Sequence, residues 1–211
     1  MTRPRWPIPE SSTRSGGAPR RSPRKTDRRG DGGRRTPPGH RGVTLDVLIR
    51  AAEPRDAPAI GTIWQRAALA GYEGIFPPDA PAPSLELLTE RSRLAIAAQG
   101  YNTLVLVACP TGHDGQVVGT VAVAPDPDET SRAQLLRLYV DPGHWGRGIG
   151  RRLHDTALEH LRAAGYRVVV LWVLESNVRA RSIYEGWGWR ATPGHRSGHP
   201  GVTQICYLLM L

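Results

Sequence analysis

The segment with the clearest chemistry in this chain is a run of alternating glycines and arginines. Gly146, Gly148 and Gly150 fall where a turn should end and an amphipathic helix should begin. Glycine has no Cβ, so a ligand can approach its backbone closely. The first turn of a helix offers unpaired N–H groups at the positive end of its dipole. Because Arg147 and Arg151 add positive charge, the segment predicts a phosphate-binding site.

Two common phosphate-binding loops do not fit these residues. A nucleoside-triphosphate loop needs a lysine directly after its last glycine, and the lysine of this chain is Lys25. A dinucleotide fingerprint reads G-x-G-x-x-G within repeated βαβ units, whereas these glycines occupy every second position near the end of the chain. A glycine turn that only packs a helix onto a strand remains an alternative at this point.

The neighbouring segments predict the elements that position this loop. Residues 135–140 are an apolar strand that leads into it. Residues 167–174 form a continuous apolar run, which is typical of a strand buried on both faces. Asn177 is a good N-cap for a short helix, and Gly186 is a good C-terminal stop. The loop therefore lies between two strands and precedes a helix.

The rest of the chain completes the order β-α-α-β-β-β-α-β-α-β-β. Asp56 is predicted to N-cap the first helix, with Pro58 in its first turn. The other predicted elements are strands at 43–51, 104–109, 116–124, 187–191 and 202–210, and a second helix at 85–97. We expect an α/β (α+β) fold with a mixed sheet of about seven strands and four helices.

The net charge of +9 comes from the N-terminal segment. Residues 1–42 hold 12 Lys and Arg against 3 Asp and Glu, while residues 43–211 hold 16 of each sign. The segment is rich in Pro, Gly and Ser, so we predict a disordered basic tail, 1–42, and one folded domain, 43–211. The tail is either an electrostatic tether to nucleic acid or acidic surfaces, or a solvated extension. An over-long gene model is one explanation of such an extension. We do not expect the domain to bind nucleic acid.

Composition also indicates the compartment. No apolar run reaches the roughly 18 residues of a membrane span, and the tail lacks the apolar core of a secretory signal. Cys109 and Cys206 lie in apolar runs and are interpreted as buried, reduced thiols, which favours a cytoplasmic location. His113, His195 and His199 fall in predicted loops without ligand spacing, so we expect no metal.

Taken together, the loop and the segment downstream resemble the GNAT superfamily of N-acetyltransferases. The acetyl-CoA loop of that family reads (Gln/Arg)-x-x-Gly-x-(Gly/Ala); Gly148 and Gly150 match its glycines, and Trp145 stands in place of Gln or Arg. Residues 175–189 are similar to the second family signature, in which an Asn opens a helix that ends near a Tyr. The resemblance covers about 43–211. It implies a largely antiparallel sheet with a central, splayed parallel pair.

The resemblance further implies acetyl-CoA as cosubstrate. Its pantetheine arm would pair with the main chain of Leu138 and Val140, and its pyrophosphate would lie on the amides of 146–151. Asn177 is expected either to contact the cofactor or to act only as an N-cap. The expected cofactor contacts are Leu138, Tyr139, Val140, Trp145, Gly146, Arg147, Gly148, Ile149, Gly150, Arg151 and Asn177.

The implied reaction is direct attack of a primary amine on the thioester. Tyr184 occupies the position of the family's general acid; an ordinary helix tyrosine is the alternative. Gln134 stands where many members have a Glu, so our candidate base is Glu73, because the loop after the first helix borders the acceptor site in this fold. A solvated loop carboxylate would look the same.

Residues 71–78 look like the acceptor loop of small-molecule acetyltransferases, in which Tyr72 and Phe76 would line the amine pocket. Arg137, if its side chain faces the site, would bind an acidic group of the substrate. We expect a small amine such as an amino acid analogue, a polyamine or a drug. The alternatives are protein N-terminal or lysine acetylation and a non-catalytic CoA-binding module. Both a monomer and a homodimer are compatible with the sequence.

Overall fold

The computed structural model describes residues 46–76, 82–101, 103–112, 115–199 and 202–211. Within them the strands and helices follow the predicted order. The strands are β1 (Val47–Ala51), β2 (Leu104–Pro110), β3 (Gly119–Pro125), β4 (Ala133–Val140), β5 (Val168–Leu174), β6 (Arg190–His199) and β7 (Val202–Met210). The helices are α1 (Ala57–Gly71), α2 (Leu85–Ala97), α3 (Ile149–Ala163) and α4 (Val178–Gly186). The predicted tail and His113 lie outside the described residues.

Seven strands of the described chain form one sheet in the order β1-β2-β3-β4-β5-β7-β6. The neighbours are antiparallel except for β4 and β5, which pair in parallel only from Ala133 to Leu135. Beyond Leu135 the two strands continue without pairing to each other, so the sheet splays open there. This architecture confirms the expected mixed, largely antiparallel sheet with a splayed parallel pair.

A β-bulge marks the point of divergence. In the pairing of β3 with β4, Leu136 has no residue opposite, because Val123 pairs with Leu135 and Ala122 with Arg137. A bulge bends its strand and increases the local twist. The bend therefore turns β4 away from β5 one residue after their last pair.

Helices cover both faces of the sheet, as alternate residues of β2 demonstrate. Leu106 is buried in the same cluster as Leu153 of α3. Val107 belongs to a second cluster that contains Ile60 of α1. Full burial of each such side chain contributes about 1.5–3 kcal/mol to folding. The two layers fix α3 on one face of the splay and α1 on the other.

Asp56 differs from its predicted role. It stands at the N-cap position of α1, but its side chain accepts no hydrogen bond from that helix. Its carboxylate instead accepts hydrogen bonds from Arg50 (2.6 and 2.9 Å) and from the backbone N–H of Glu53 (2.7 Å). Asp56 is only 4% exposed. A buried carboxylate without a paired cation destabilises the folded protein more than a missing N-cap hydrogen bond does.

The segment after α4 also differs from the sequence interpretation. Gly186 is the last residue of the helix, and the left-handed conformation falls on Gly188 (φ 92°). Strand β6 runs from Arg190 to His199 instead of 187–191, which places His195 and His199 in a strand. The strand tolerates its proline because it lies at the edge of the sheet.

In the described ranges, no helix has both the length and the apolar character to cross a bilayer. Cys109 in β2 and Cys206 in β7 are free and buried.

Candidate functional site

The splay between β4 and β5 opens into a cavity of about 500 Å³. Ligand pockets in proteins commonly fall in this size range. Its walls are the second half of β4, the end of β5, the glycine turn before α3, helix α4 and the end of α1. The cavity therefore joins the predicted phosphate loop to the segment that carries Tyr184.

One wall is an unpaired strand edge. The N–H of Asp141, just after β4, donates to the O of Val118, just before β3, whereas Val140 O accepts from the Trp145 indole at 2.7 Å. Alternate residues of a strand direct their polar groups to opposite sides. The main-chain groups of Leu138 and Val140 therefore point into the gap, which is the edge predicted to bind an extended, amide-containing ligand.

The glycine turn ends at the N-terminus of α3. Gly146 (φ 74°) and Gly148 (φ 77°) both adopt the left-handed conformation that other residues avoid. The first helical hydrogen bond runs from Arg152 N to Gly148 O, so the N–H groups of 149–151 have no partner within the helix. Because Ile149 and Gly150 line the cavity, an anion there can accept hydrogen bonds from this turn.

Trp145 has a local role that the family resemblance does not imply. Its indole N–H ties the glycine turn to the end of β4 through Val140 O. The guanidinium of Arg179 lies 4.1 Å from the centroid of the Trp145 ring, a cation–π contact. Trp145 thus holds the turn and places a second cation at the rim of the cavity.

The lining is positively charged. Arg137, Arg151 and Arg179 line the cavity, and none of its described lining residues is Asp or Glu. Arg151 pairs with Asp155 at 2.6 Å. Such a lining favours anionic ligands.

Three phenols meet at the other end of the cavity. The hydroxyls of Tyr72 and Tyr139 lie 3.2 Å apart. Burial, with Tyr72 nearby, raises the pKa of Tyr184 above its ordinary value, so its phenol stays protonated at neutral pH. No described residue forms a hydrogen bond with the Tyr184 hydroxyl, which is free to donate to a ligand.

The Tyr184 ring is held from behind by tryptophans. Trp187 and Trp189 contact it edge to face, with centroids 6.0 and 5.9 Å away. The Trp189 indole donates to Nε2 of buried His154 at 2.9 Å, and Nδ1 of His154 meets Asp155 at 2.8 Å. Because an indole only donates, Nε2 is unprotonated and the imidazole is neutral. Burial lowers the pKa of His154, in agreement with this tautomer.

The structure brings most of the predicted site residues together, with three exceptions. Tyr72, Arg137, Tyr184 and Asn177 line the cavity with the loop residues, and Asn177 also caps α4 by accepting from Ala180 N. The exceptions do not line the cavity: Glu73 is exposed in the turn after α1, Phe76 packs edge to face on Tyr72, and Arg147 is exposed.

Several lining residues were missed by the sequence interpretation. His144 is partly buried and lines the cavity. Arg179, Trp172 and Gln204 line it as well. Only Arg179 had a sequence signal, since it follows the N-cap Asn177 by two residues. Across the described ranges, no three His, Cys, Asp or Glu side chains cluster as metal ligands would.

Solved acetyltransferases share this fold. The PaiA N-acetyltransferase of Thermoplasma acidophilum, in complex with coenzyme A, matches with a TM-score of 0.65 at 19% identity, over 79% of this chain and 100% of that chain. A GCN5-related N-acetyltransferase of Kribbella flavida matches with a TM-score of 0.61 at 26% identity, over 78% of this chain and 98% of that chain. The fold is therefore that of the N-acetyltransferases.

The model of the Acetyltransferase (GNAT) family matches residues 70–189, more than half of the chain, so the chain belongs to this family. The mycothiol acetyltransferase of Beutenbergia cavernae is 43% identical over 67 residues, 32% of this chain and 23% of that protein. N-acetyltransferase family 8 member 2 of Rattus norvegicus is 40% identical over 84 residues, 38% of this chain and 37% of that protein. The matches span less than half of these relatives' own length.

Proposed function

We propose that this chain is an acetyl-CoA-dependent N-acetyltransferase that moves the acetyl group to the primary amine of a small molecule. The observation that carries the proposal is the cavity in the splay of the sheet. It joins an unpaired β4 edge, the amide-lined N-terminus of α3 and the free phenol of Tyr184. Membership of the acetyltransferase family and the names of its relatives support the same activity.

The residues present fit acetyl-CoA. Leu138 offers a main-chain N–H and C=O to the two amides of a pantetheine arm, and Val140 offers its N–H, since its C=O accepts from the Trp145 indole. The N–H groups at the start of α3 suit a pyrophosphate, and Arg151 and Arg179 add positive charge beside it. Glycine at position 148 leaves nothing within 4 Å of where a Cβ would be, so a phosphate can approach the backbone.

Bound acetyl-CoA supplies an activated carbonyl with a thiolate leaving group. A main-chain N–H on the open edge beside Val140 is placed to donate to the carbonyl oxygen, where negative charge develops. Tyr184 donates a hydrogen bond to the sulfur. Since its pKa lies above that of a thiol, this hydrogen bond stabilises the developing thiolate without complete proton transfer.

The amine must shed a proton, because an alkylammonium has a pKa near 10. No carboxylate belongs to the described lining, and Glu73 is exposed outside it. We propose that the proton leaves through cavity water or the imidazole of His144, which does line the site.

The free, buried thiols of Cys109 and Cys206 support a cytoplasmic location.

Thermal unfolding and thiol release test the proposal. Acetyl-CoA at about 100 times its Kd should stabilise the protein by about 2.7 kcal/mol, because it binds only the folded state. Thiol release should then depend on an added small amine. No stabilisation would refute the cofactor assignment. Stabilisation without release for any amine would indicate a non-catalytic module, and release with peptide amines alone would indicate a protein acetyltransferase.

A further inference from the structure

One buried cation of the cavity lining has no ion-pair partner among the described residues. The Nε and Nη2 atoms of Arg137 are buried and have no hydrogen-bond partner among the described residues. The guanidinium lies 4.8 Å from the centroid of the Trp64 ring on α1. Trp64 in turn stacks on Tyr139, with ring centroids 5.7 Å apart. The side chain thus packs against an aromatic ring, while Nε and Nη2 have no partner in the described part of the chain.

The other two arginines of the lining differ from Arg137. Arg151 is exposed and pairs with Asp155, and Arg179 is exposed over Trp145. Exposed cations are hydrated and cost little. A buried, unpaired guanidinium loses its hydration without compensation, which destabilises the folded protein. Burial also lowers the pKa of Arg137, with the neighbouring Arg91 acting in the same direction. A ligand anion would remove this cost.

The position of Arg137 separates it from the phosphate end of the cavity. It precedes Val140 by three residues of β4, or about 10 Å along an extended strand. Residues two apart share a face of a strand, so Arg137 and Tyr139 face the α1 side, where Tyr139 meets Tyr72. The glycine turn and α3 lie on the opposite face. Arg137 therefore belongs to the end of the cavity where an acceptor would enter.

We propose that Arg137 binds the carboxylate of the acceptor, so that the substrate carries both a primary amine and a carboxylate, as an amino acid does. This proposal rests on the proposed acetyltransferase function. Nε and Nη2 form one edge of the planar guanidinium, and the N–H groups of that edge can donate to both oxygens of a carboxylate at once. The aromatic rings of Trp64 and Tyr139 fix the orientation of this edge.

The charge of the lining excludes one class of acceptor that the sequence left open. A polyamine carries several positive charges and needs carboxylates to hold them. The described lining has three arginines and no Asp or Glu, so it repels a polycation. An amino acid is neutral overall and presents its carboxylate to Arg137 and its amine to the thioester.

Matched acceptors test the proposal. For several side chains, kcat/KM is measured with the amino acid, its carboxamide and the decarboxylated amine. Wild-type protein should favour the amino acid. Arg137→Gln should lose about 30-fold or more in kcat/KM for the amino acid, the usual cost of removing one partner of a buried charge pair. Arg93→Gln is the control, because Arg93 is exposed on α2 and pairs with Glu90 outside the cavity.

A second readout does not need turnover. Arg137→Met should raise the melting temperature of the free protein, because it removes a buried, unpaired charge. The expected rise is about 2–4 °C in a chain of this size. Calorimetry with N-acetyl amino acids in the presence of CoA should show binding to wild-type protein and weakened binding to Arg137→Gln. A structural ion pair with another part of the chain would lower the melting temperature instead and overturn the proposal.

The two proposals fail differently. If carboxamides and decarboxylated amines are acetylated as well as the amino acids, and Arg137→Gln behaves like wild type, the carboxylate site is refuted and the acetyltransferase stands. If acetyl-CoA neither stabilises the protein nor releases thiol with any acceptor, the proposed function fails. Calorimetric binding of N-acetyl amino acids would still test the carboxylate site at Arg137.

Discussion

Replacing Gly148 by alanine tests the left-handed turn at the start of α3. Gly148 has φ 77° at the N-cap, and nothing lies within 4 Å of where a Cβ would be. The cost is therefore backbone strain alone, about 1–2 kcal/mol for a residue with a side chain. At about 2–4 °C per kcal/mol, the melting temperature of Gly148→Ala should fall by about 2–8 °C.

Gly150→Ala is the matched control, two residues further along. Gly150 is helical, and its Cβ would lie 3.6 Å from Val140 Cγ2 and 3.8 Å from the Trp187 ring, which are ordinary contacts. Alanine in a helix interior is up to about 1 kcal/mol more favourable than glycine. The melting temperature of Gly150→Ala should equal or exceed that of the wild type.

Differential scanning calorimetry with and without acetyl-CoA measures both effects. Strain at 148 also displaces the unpaired N–H groups of 149–151, so the stabilisation by acetyl-CoA should shrink in Gly148→Ala more than in Gly150→Ala. A Gly148→Ala protein that melts like the wild type and keeps the full acetyl-CoA shift would refute the role of this turn.

The remaining predictions concern titratable groups. Tyr184→Phe should lower kcat and leave the acetyl-CoA shift nearly intact, because the hydroxyl has no described partner; loss of both would indicate a structural tyrosine. Burial lowers the pKa of His154 in the folded protein, so the unfolded chain is protonated first as the pH drops. The free energy of unfolding should therefore fall below about pH 6.5 and level off below the native pKa. In His154→Phe, the free energy of unfolding measured with urea should lack this pH dependence. Glu73→Gln should keep kcat/KM within about twofold across pH, since loss of a true general base costs about 10²–10⁴. His144→Gln should lower kcat/KM if its imidazole takes the proton and leave kcat/KM unchanged if water does; a loss in Glu73→Gln alone would restore Glu73 as the base.

Local signals explain which elements could be predicted from the sequence. Helix α2 begins where Ser84 caps it, accepting from Leu87 N, and its bounds match the prediction. Strand β7 is an apolar run whose bounds also match. Strand β6 was predicted too short, because Pro193 and Gly194 indicate a turn and only pairing with β7 makes them a strand.

The same distinction between local and distant signals applies to the residues of the candidate site. The loop glycines and Asn177 were predicted because their backbone roles depend on neighbours in sequence. His144 was not predicted, because lining a cavity depends on how distant elements pack. Glu73 was inferred from the position of its loop in the fold, and the sequence holds no signal for the direction in which an exposed turn carboxylate points.

Helix α3 serves both ends of the thioester site: its N-terminus borders the glycine turn, and five residues later His154 supports Trp189 behind Tyr184. Arg137 lies instead on β4, and Tyr72 is the C-cap residue of α1. An altered α1 face therefore changes the acceptor without disturbing the helix on which the acyl donor depends. The two faces of the sheet can therefore be altered independently. Variant libraries that seek new acceptors should change residues of α1 and leave α3 unchanged.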